Sequence, residues 1–232
     1  MGFPTTLPIF KFGIQELTSF KVTSMAANLR RLGRLVPSSS VLFVCDIQEA
    51  FRKGIYQLPT VIQGTNTLVA AAKTLDVPIV VTTQYAARLG DTVNEIASNL
   101  EDAKNVKTFD KMLFSMMTPE VTQHVEALPS QPKSVILCGI EGHVCVLQTC
   151  LDLLEKGYDV HVVSDAISSS TAFNRSISLE RMRQSGAFIT SVESSIFQLA
   201  GDASHPSFRS ISKLIKEHLK VDNAFDTVTP KL

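Results

Sequence analysis

The chain has 232 residues, 44% of them hydrophobic and 19% charged, with 22 Lys+Arg against 22 Asp+Glu. That apolar content supports a packed core rather than disorder, and the length fits one domain of roughly 190 residues plus an extension. The zero net charge is uneven: residues 1–40 hold Lys11, Lys21, Arg30, Arg31 and Arg34 against Glu16 alone, a +4 that leaves −4 on the rest. An acidic body argues against a nucleic-acid partner, and no apolar run approaches the roughly 20 residues of a membrane span.

Residues 1–36 read as a basic leader. Pro4, Pro8 and Gly13 interrupt it, and helical periodicity is missing until about Met25. A secretory signal is not expected, because the apolar stretch near Phe3–Phe10 is short and broken by prolines. The basic, hydroxyl-rich composition fits a mitochondrial transit peptide; the plainer reading is an unstructured extension of a cytoplasmic protein, ahead of an internal start at Met25.

From residue 41 the pattern is regular. Short continuous apolar runs predict strands at Val41–Cys45, Val77–Thr83, Val135–Cys138, Val160–Val163 and Ala187–Thr190, with a weaker one at Asn105–Phe109. Continuous rather than alternating runs indicate strands covered on both faces. Helices are predicted at Val61–Leu75, at Thr118–Leu128 with Thr118 as N-cap and Pro119 in the first turn, and at His143–Lys156 with Val144, Leu147, Leu151 and Leu154 toward the core. Two more are predicted at Ser176–Ser185 and at Pro206–Leu219, the last burying Phe208, Ile211, Leu214, Ile215 and Leu219. Strand and helix alternating about six times predict a doubly wound α/β domain over 37–220, with a tail at 221–232.

Open α/β sheets bind ligands beyond the carboxyl ends of their strands. That rule makes candidates of Asp46 after the first strand, Gln84 after the second, Lys111 after the third, Cys145 after the fourth and Asp165 after the fifth. Cys145 closes Gly139-Ile-Glu-Gly-His-Val-Cys145, where a strand turns into a helix. Unpaired N–H groups at a helix start favour a thiolate and can hold an oxyanion; the plainer reading of Cys145 is a small buried apolar residue. Asp46 is a poor core residue without a partner, and Lys111 could supply one; their plainer readings are a turn residue and a solvated lysine. Cys45, Cys138 and Cys150 read as structural, and the four cysteines lack the paired spacing of a disulfide framework or zinc site. His143, two residues from Cys145, points roughly 200° away on a helix and is rejected as its base. Asp159-Val-His161 opens the fifth strand at the wrong edge for the site, so no metal is expected.

Val-Leu-Phe-Val-Cys-Asp46-Ile-Gln48, Asp110-Lys111-Met-Leu-Phe-Ser115 and Cys138-Gly-Ile-Glu-Gly-His-Val-Cys145-Val together resemble the isochorismatase-like cysteine hydrolases. Arg181-Met-Arg-Gln-Ser-Gly-Ala-Phe188 looks like the isochorismatase domain-containing subgroup, and the resemblance covers about residues 37–219. It implies a three-layer αβα fold with a mostly parallel six-stranded sheet, an Asp46–Lys111–Cys145 triad and a cis peptide at Ile140–Glu141. The N–H groups of Glu141 and Cys145 would form the oxyanion hole, with Gln48 and Gln84 in the substrate pocket. Gly142 stands where many members have Thr, and Thr82–Gly90 lacks the Asp-x-His metal motif of the nicotinamidases. The implied activity is cysteine-dependent hydrolysis of a small amide, without cofactor, in a homo-oligomer. The alternatives are a catalytically idle interaction protein and a vinyl-ether hydrolase of the isochorismatase type.

Overall fold

The computed structural model describes Gly2 and residues 32–225, so the expectations for the leader lie outside the described residues except at its last few positions. The chain divides into two compact units, Met1–Leu32 and Gly33–Leu232, and every element below belongs to the second. That unit takes in the end of the expected leader, since Leu35 is buried in its core.

The six expected strands form one sheet: β1 (Ser40–Cys45), β2 (Ile79–Gln84), β3 (Val106–Lys111), β4 (Ser134–Gly139), β5 (Asp159–Ile167) and β6 (Phe188–Thr190). Their order is β3-β2-β1-β4-β5-β6, and every pairing is parallel. Successive side chains point to opposite faces. Leu42, Val44, Ile136 and Cys138 therefore join one apolar cluster, and Val41, Phe43, Cys45, Val135 and Leu137 the other. The first cluster is closed by α1 (Leu58–Thr74), α3 (Asn94–Leu100), α7 (Val192–Ala200) and α8 (Phe208–His218). The second is closed by α4 (Pro119–Glu126), α5 (Leu147–Glu155) and α6 (Ala172–Gln184), while α2 (Ala86–Leu89) is a single turn after β2. This is the three-layer αβα arrangement. Each fully buried Leu, Ile or Phe contributes about 1.5–3 kcal/mol, so a sheet covered on both sides dominates stability.

Local chemistry starts the helices. Thr118 Oγ1 accepts the Val121 N–H (3.3 Å), with Pro119 in the first turn as expected; Thr171 and Ser191 accept from Asn174 (3.1 Å) and Ser194 (3.2 Å). In α1, a Cβ on Gly64 would lie 3.1 Å from both Asp165 O and Ala166 Cβ, so the missing side chain lets the helix seat against β5.

Several expectations need correction. β5 continues past Val163 to Ile167, which puts Asp165 inside the strand rather than after it. Its carboxylate accepts the Val192 N–H (2.9 Å) at the start of α7, and burial raises its pKa. The helix α7 itself was not foreseen, and α6 begins four residues early because Thr171 caps it. Gln84 and Lys111 close β2 and β3 instead of following them. The weak signal of β3 reflects its edge position, where most of its side chains are exposed or half-buried. Leu219 lies past the last residue of α8 and is exposed. Beyond residue 220, Phe225 is buried, with the Arg175 guanidinium 3.7 Å from its ring centroid.

The expected helix over 143–156 opens with one wide π-turn, Gly142–Val146, and only then becomes α5. One extra residue in that turn rotates the rest of the helix by about 100°. The deepest side chains are Cys145, Val146, Thr149, Cys150 and Leu153, while Leu151 is half-buried and Val144, Leu147 and Leu154 are half-buried against the core, as expected.

Candidate active site

Strand order reverses between β1 and β4, so a crevice is expected beyond their carboxyl ends. Asp46 comes directly after β1, in the left-handed region (φ 49°), a sparsely populated conformation for a residue other than glycine. Gly139 ends β4 with φ 117°, and a Cβ there would lie 2.2 Å from Cys45 O. Only glycine lets the two backbones meet, and the Ile140 N–H then donates to Cys45 O (2.9 Å). The Ile140–Glu141 peptide is cis, as the resemblance implies.

The π-turn comes next. The Gly142 N–H donates to Ser168 O (2.7 Å), and the Val144 and Val146 N–H groups both donate to Glu141 O (3.0 and 3.2 Å). A side chain at Gly142 would meet Ser178 Oγ at 2.8 Å and Ser169 Oγ at 3.0 Å, so two serine hydroxyls occupy the space a threonine would need. Cys145 sits on this turn, 7% exposed, and its carbonyl accepts Thr149 Oγ1 (2.6 Å).

Opposite lies a buried ion pair. Lys111 Nζ donates to Asp46 Oδ2 (2.7 Å), Gln84 Oε1 (2.7 Å), Phe114 O (3.0 Å) and Leu113 O (3.1 Å). Asp46 Oδ1 accepts Thr82 Oγ1 (2.7 Å), and the Cys45 thiol lies 3.6 Å from Oδ2. Burying two charges is costly, and such a pair persists only where its remaining hydrogen-bonding capacity is met. Here it is met for both partners.

The structure thus gathers Asp46, Lys111 and Gln84, and Cys145 shares a buried cluster with Cys45 beside them. Among the described residues no hydrogen bond joins Cys145 Sγ to Asp46; the Cys45 thiol meets Asp46 and packs in one cluster with Cys145. Burial foremost, then the contact with Cys145 and the charge of Asp46, push the Cys45 thiol well above the ordinary range. Gln48 is buried, and its amide is committed to Gly90 O (2.6 Å), Gln84 O (3.1 Å) and the Gln84 N–H (2.7 Å). It clamps the end of β2 and has no free donor for a ligand. Glu141 turns its carboxylate to the Ser170 N–H (2.8 Å). His143 lies near Glu141 (3.8 Å) and Asn174 (3.4 Å) rather than Cys145.

Sequence reasoning missed Thr82 and Cys45. Thr82 lies in an apolar strand, and only the register of β2 on β1 brings it to Asp46; Cys45 adjoins Asp46 in the chain but reads as one more apolar strand residue. Exposed Met112, Leu113 and Phe114 form an apolar rim on the loop that holds Lys111, with Phe173 and Ile177 exposed on α6. A cavity of about 570 Å³ lies elsewhere, lined by Ile62, Asn66, Thr67, Leu214 and His218, and touches none of these residues. Among the described residues no three His, Cys, Asp or Glu side chains group to hold a metal ion.

Comparison with known proteins agrees with this geometry. Residues 40–194 match the isochorismatase domain. The chain is 70% identical over 206 residues to the secreted isochorismatase effector Isc1 of Phytophthora sojae, covering 89% of this chain and 98% of that protein. It is 47% identical over 191 residues to isochorismatase domain-containing protein 2 of Xenopus laevis, covering 82% and 90%. Among solved structures, the MAR1 ribonuclease of Caenorhabditis elegans superposes with a TM-score of 0.78 at 41% identity, covering 86% of this chain and all of that one. With a matching domain model over two-thirds of its length and the αβα fold around the β1/β4 crevice, this chain belongs to the isochorismatase family.

Proposed function

We propose that the protein is a cysteine-dependent hydrolase of a small amide, with Cys145 as nucleophile, Asp46 as general base and Lys111 as the positive partner of Asp46. One observation carries this reading: a buried, fully hydrogen-bonded Asp46–Lys111 pair at the point where strand order reverses, beside a thiol on the turn that opens a helix. Asp46 takes the thiol proton, and the Cys145 sulfur attacks the amide carbonyl carbon. The contact this needs tightens when substrate fills the crevice, as catalytic hydrogen bonds commonly do. The oxyanion is received by the N–H groups of Glu141 and Cys145. Asp46 then protonates the departing amine, and water activated by the same carboxylate releases the acid. Gln84 orients Lys111, and Thr82 orients Asp46.

The test is turnover on a panel of small amides. Cys145→Ala should lose at least about 10³-fold in kcat together with its acyl-adduct mass shift. Cys138→Ala, on the far face of the sheet, should keep both; equal turnover in the two variants would overturn the assignment.

A second reading is favoured by the 70% identity to a protein named an isochorismatase effector. Vinyl-ether hydrolysis needs proton transfer but no nucleophilic sulfur, so Cys145→Ala would keep isochorismate turnover while Asp46→Asn lost it. An RNA substrate belongs in the same panel because of the 41% identical ribonuclease. If no substrate turns over, the interaction-protein alternative stands. The rim of Met112, Leu113 and Phe114 suits a homo-oligomer, checked by light scattering. Four free cysteines suit a reducing compartment, the cytoplasm first and mitochondria second, whereas the P. sojae relative is named as secreted. Residues 1–36 fused to a reporter would decide the address.

A further inference from the structure

The mechanism uses Cys145 and leaves the second thiol of the crevice, Cys45, without a task. Cys45 ends β1 with its side chain on the same face of the sheet as Cys145, in the same buried cluster. Its backbone is tied to the strand that launches the nucleophile turn, through the register pair with Gly139 and the Ile140 N–H. Its thiol lies 3.6 Å from Asp46 Oδ2, and Cys145, packed in the same cluster, is among the groups near enough to raise its pKa. Cys45 is fully buried, whereas Cys145 retains 7% exposure. A solute therefore meets Cys145 first.

We propose that Cys45 and Cys145 form a reversible disulfide, with Cys145 as the sulfur that meets a hydroperoxide and Cys45 as the sulfur that resolves it. The Cys145 thiolate attacks the distal peroxide oxygen, and the O–O bond breaks. The remaining alkoxide or hydroxide leaves with a proton as alcohol or water. Cys145 is oxidised by two electrons to the sulfenic acid, and the peroxide is reduced by two. Cys45 then gives its proton to Asp46, and its sulfur attacks the sulfenic sulfur. The S–O bond breaks, and the hydroxide leaves as water with the proton from Asp46. Two equivalents of a small thiol reverse the change, with release of their own disulfide.

The other cysteines do not compete. Cys138 belongs to the cluster on the opposite face and donates to Phe43 O (3.4 Å). Cys150 lies one helical turn beyond Cys145, and burial pushes its thiol up to about 12. The proposal rests on Cys145 being the reactive thiol of the site, but its readout needs no substrate. Failure of the hydrolase reading and failure of the disulfide are therefore distinguishable.

The full chain is treated with a few equivalents of hydrogen peroxide, quenched, alkylated in denaturant and digested without reduction for mass mapping. The expected result is a Cys45–Cys145 linked peptide, two hydrogens lighter than the free pair, that dithiothreitol separates. Cys45→Ala, or Cys45→Ser if the smaller side chain destabilises the fold, should lose the link and carry Cys145 on to the sulfinic acid, which dithiothreitol does not reverse. Any of three results would overturn the proposal: sulfinic Cys145 with free Cys45 in the wild type, a link to Cys138 or Cys150, or four unoxidised thiols.

Discussion

The first turns of α4, α6 and α7 and the crevice between β1 and β4 are built by opposite means. Each of these helices begins where Thr118, Thr171 or Ser191 accepts an N–H three residues ahead, so the sequence neighbour supplies what the backbone lacks. At the crevice almost nothing is local. Lys111 reaches Asp46 from 65 residues away, Thr82 from 36, and Gly139 is needed because Cys45 O lies against it. Asp46 itself holds a backbone conformation that its residue type disfavours. A site assembled against local preference depends on the whole sheet to hold it, whereas a capped helix depends on one hydroxyl.

The contrast can be broken from its strongest end. Lys111→Met leaves Asp46 buried without its cation and should cost about 3–5 kcal/mol by denaturant titration. Turnover should fall further than the loss of folded protein explains. Leu153→Ala, in the regular part of α5 with its side chain wholly buried, should cost about 2–5 kcal/mol. The protein that remains folded should keep kcat, which separates packing from site.

His161 sharpens the comparison through pH. Desolvation lowers its pKa to about 4, while in the unfolded chain it titrates near 6.5. As pH falls, the unfolded chain takes up this proton first. Stability should therefore drop between about pH 6.5 and 4 and level off below, by about 3 kcal/mol at most. His161→Gln should flatten that slope. Thr118→Ala removes a single cap and should cost only about 1 kcal/mol, a fall in Tm of about 2–4 °C with activity unchanged.

The meeting of Asp46, Lys111 and Cys145 at one edge was legible because the first two stand just past, or at the end of, an apolar run and Cys145 on the turn that follows one, and the sheet rule turns such positions into one edge. Thr82 was not, because nothing in either strand says which residue of the other lies beside it, and Cys45, though next to Asp46 in the chain, reads as one more apolar strand residue. Gln48 was readable as a motif residue, but its commitment to Gly90 and Gln84 was not. Val144, Leu147 and Leu154 pack against the core as expected, but the deepest positions, Cys145, Val146, Cys150 and Leu153, were not foreseen, and 3.6-residue periodicity contains no sign of the π-turn that opens this helix.

The amino-acid order alone dictates the six strands, the layered class and the order in which an acid, a base and a thiol arrive at the sheet. Those properties arise from hydrophobic period and chain order, which are local. Packing in three dimensions was needed to enclose Lys111 wholly, to set Thr82 on Asp46 beside it, and to bring a second thiol against Cys145. These depend on the register of neighbouring strands and on which face a side chain takes, and both are fixed only when the sheet closes.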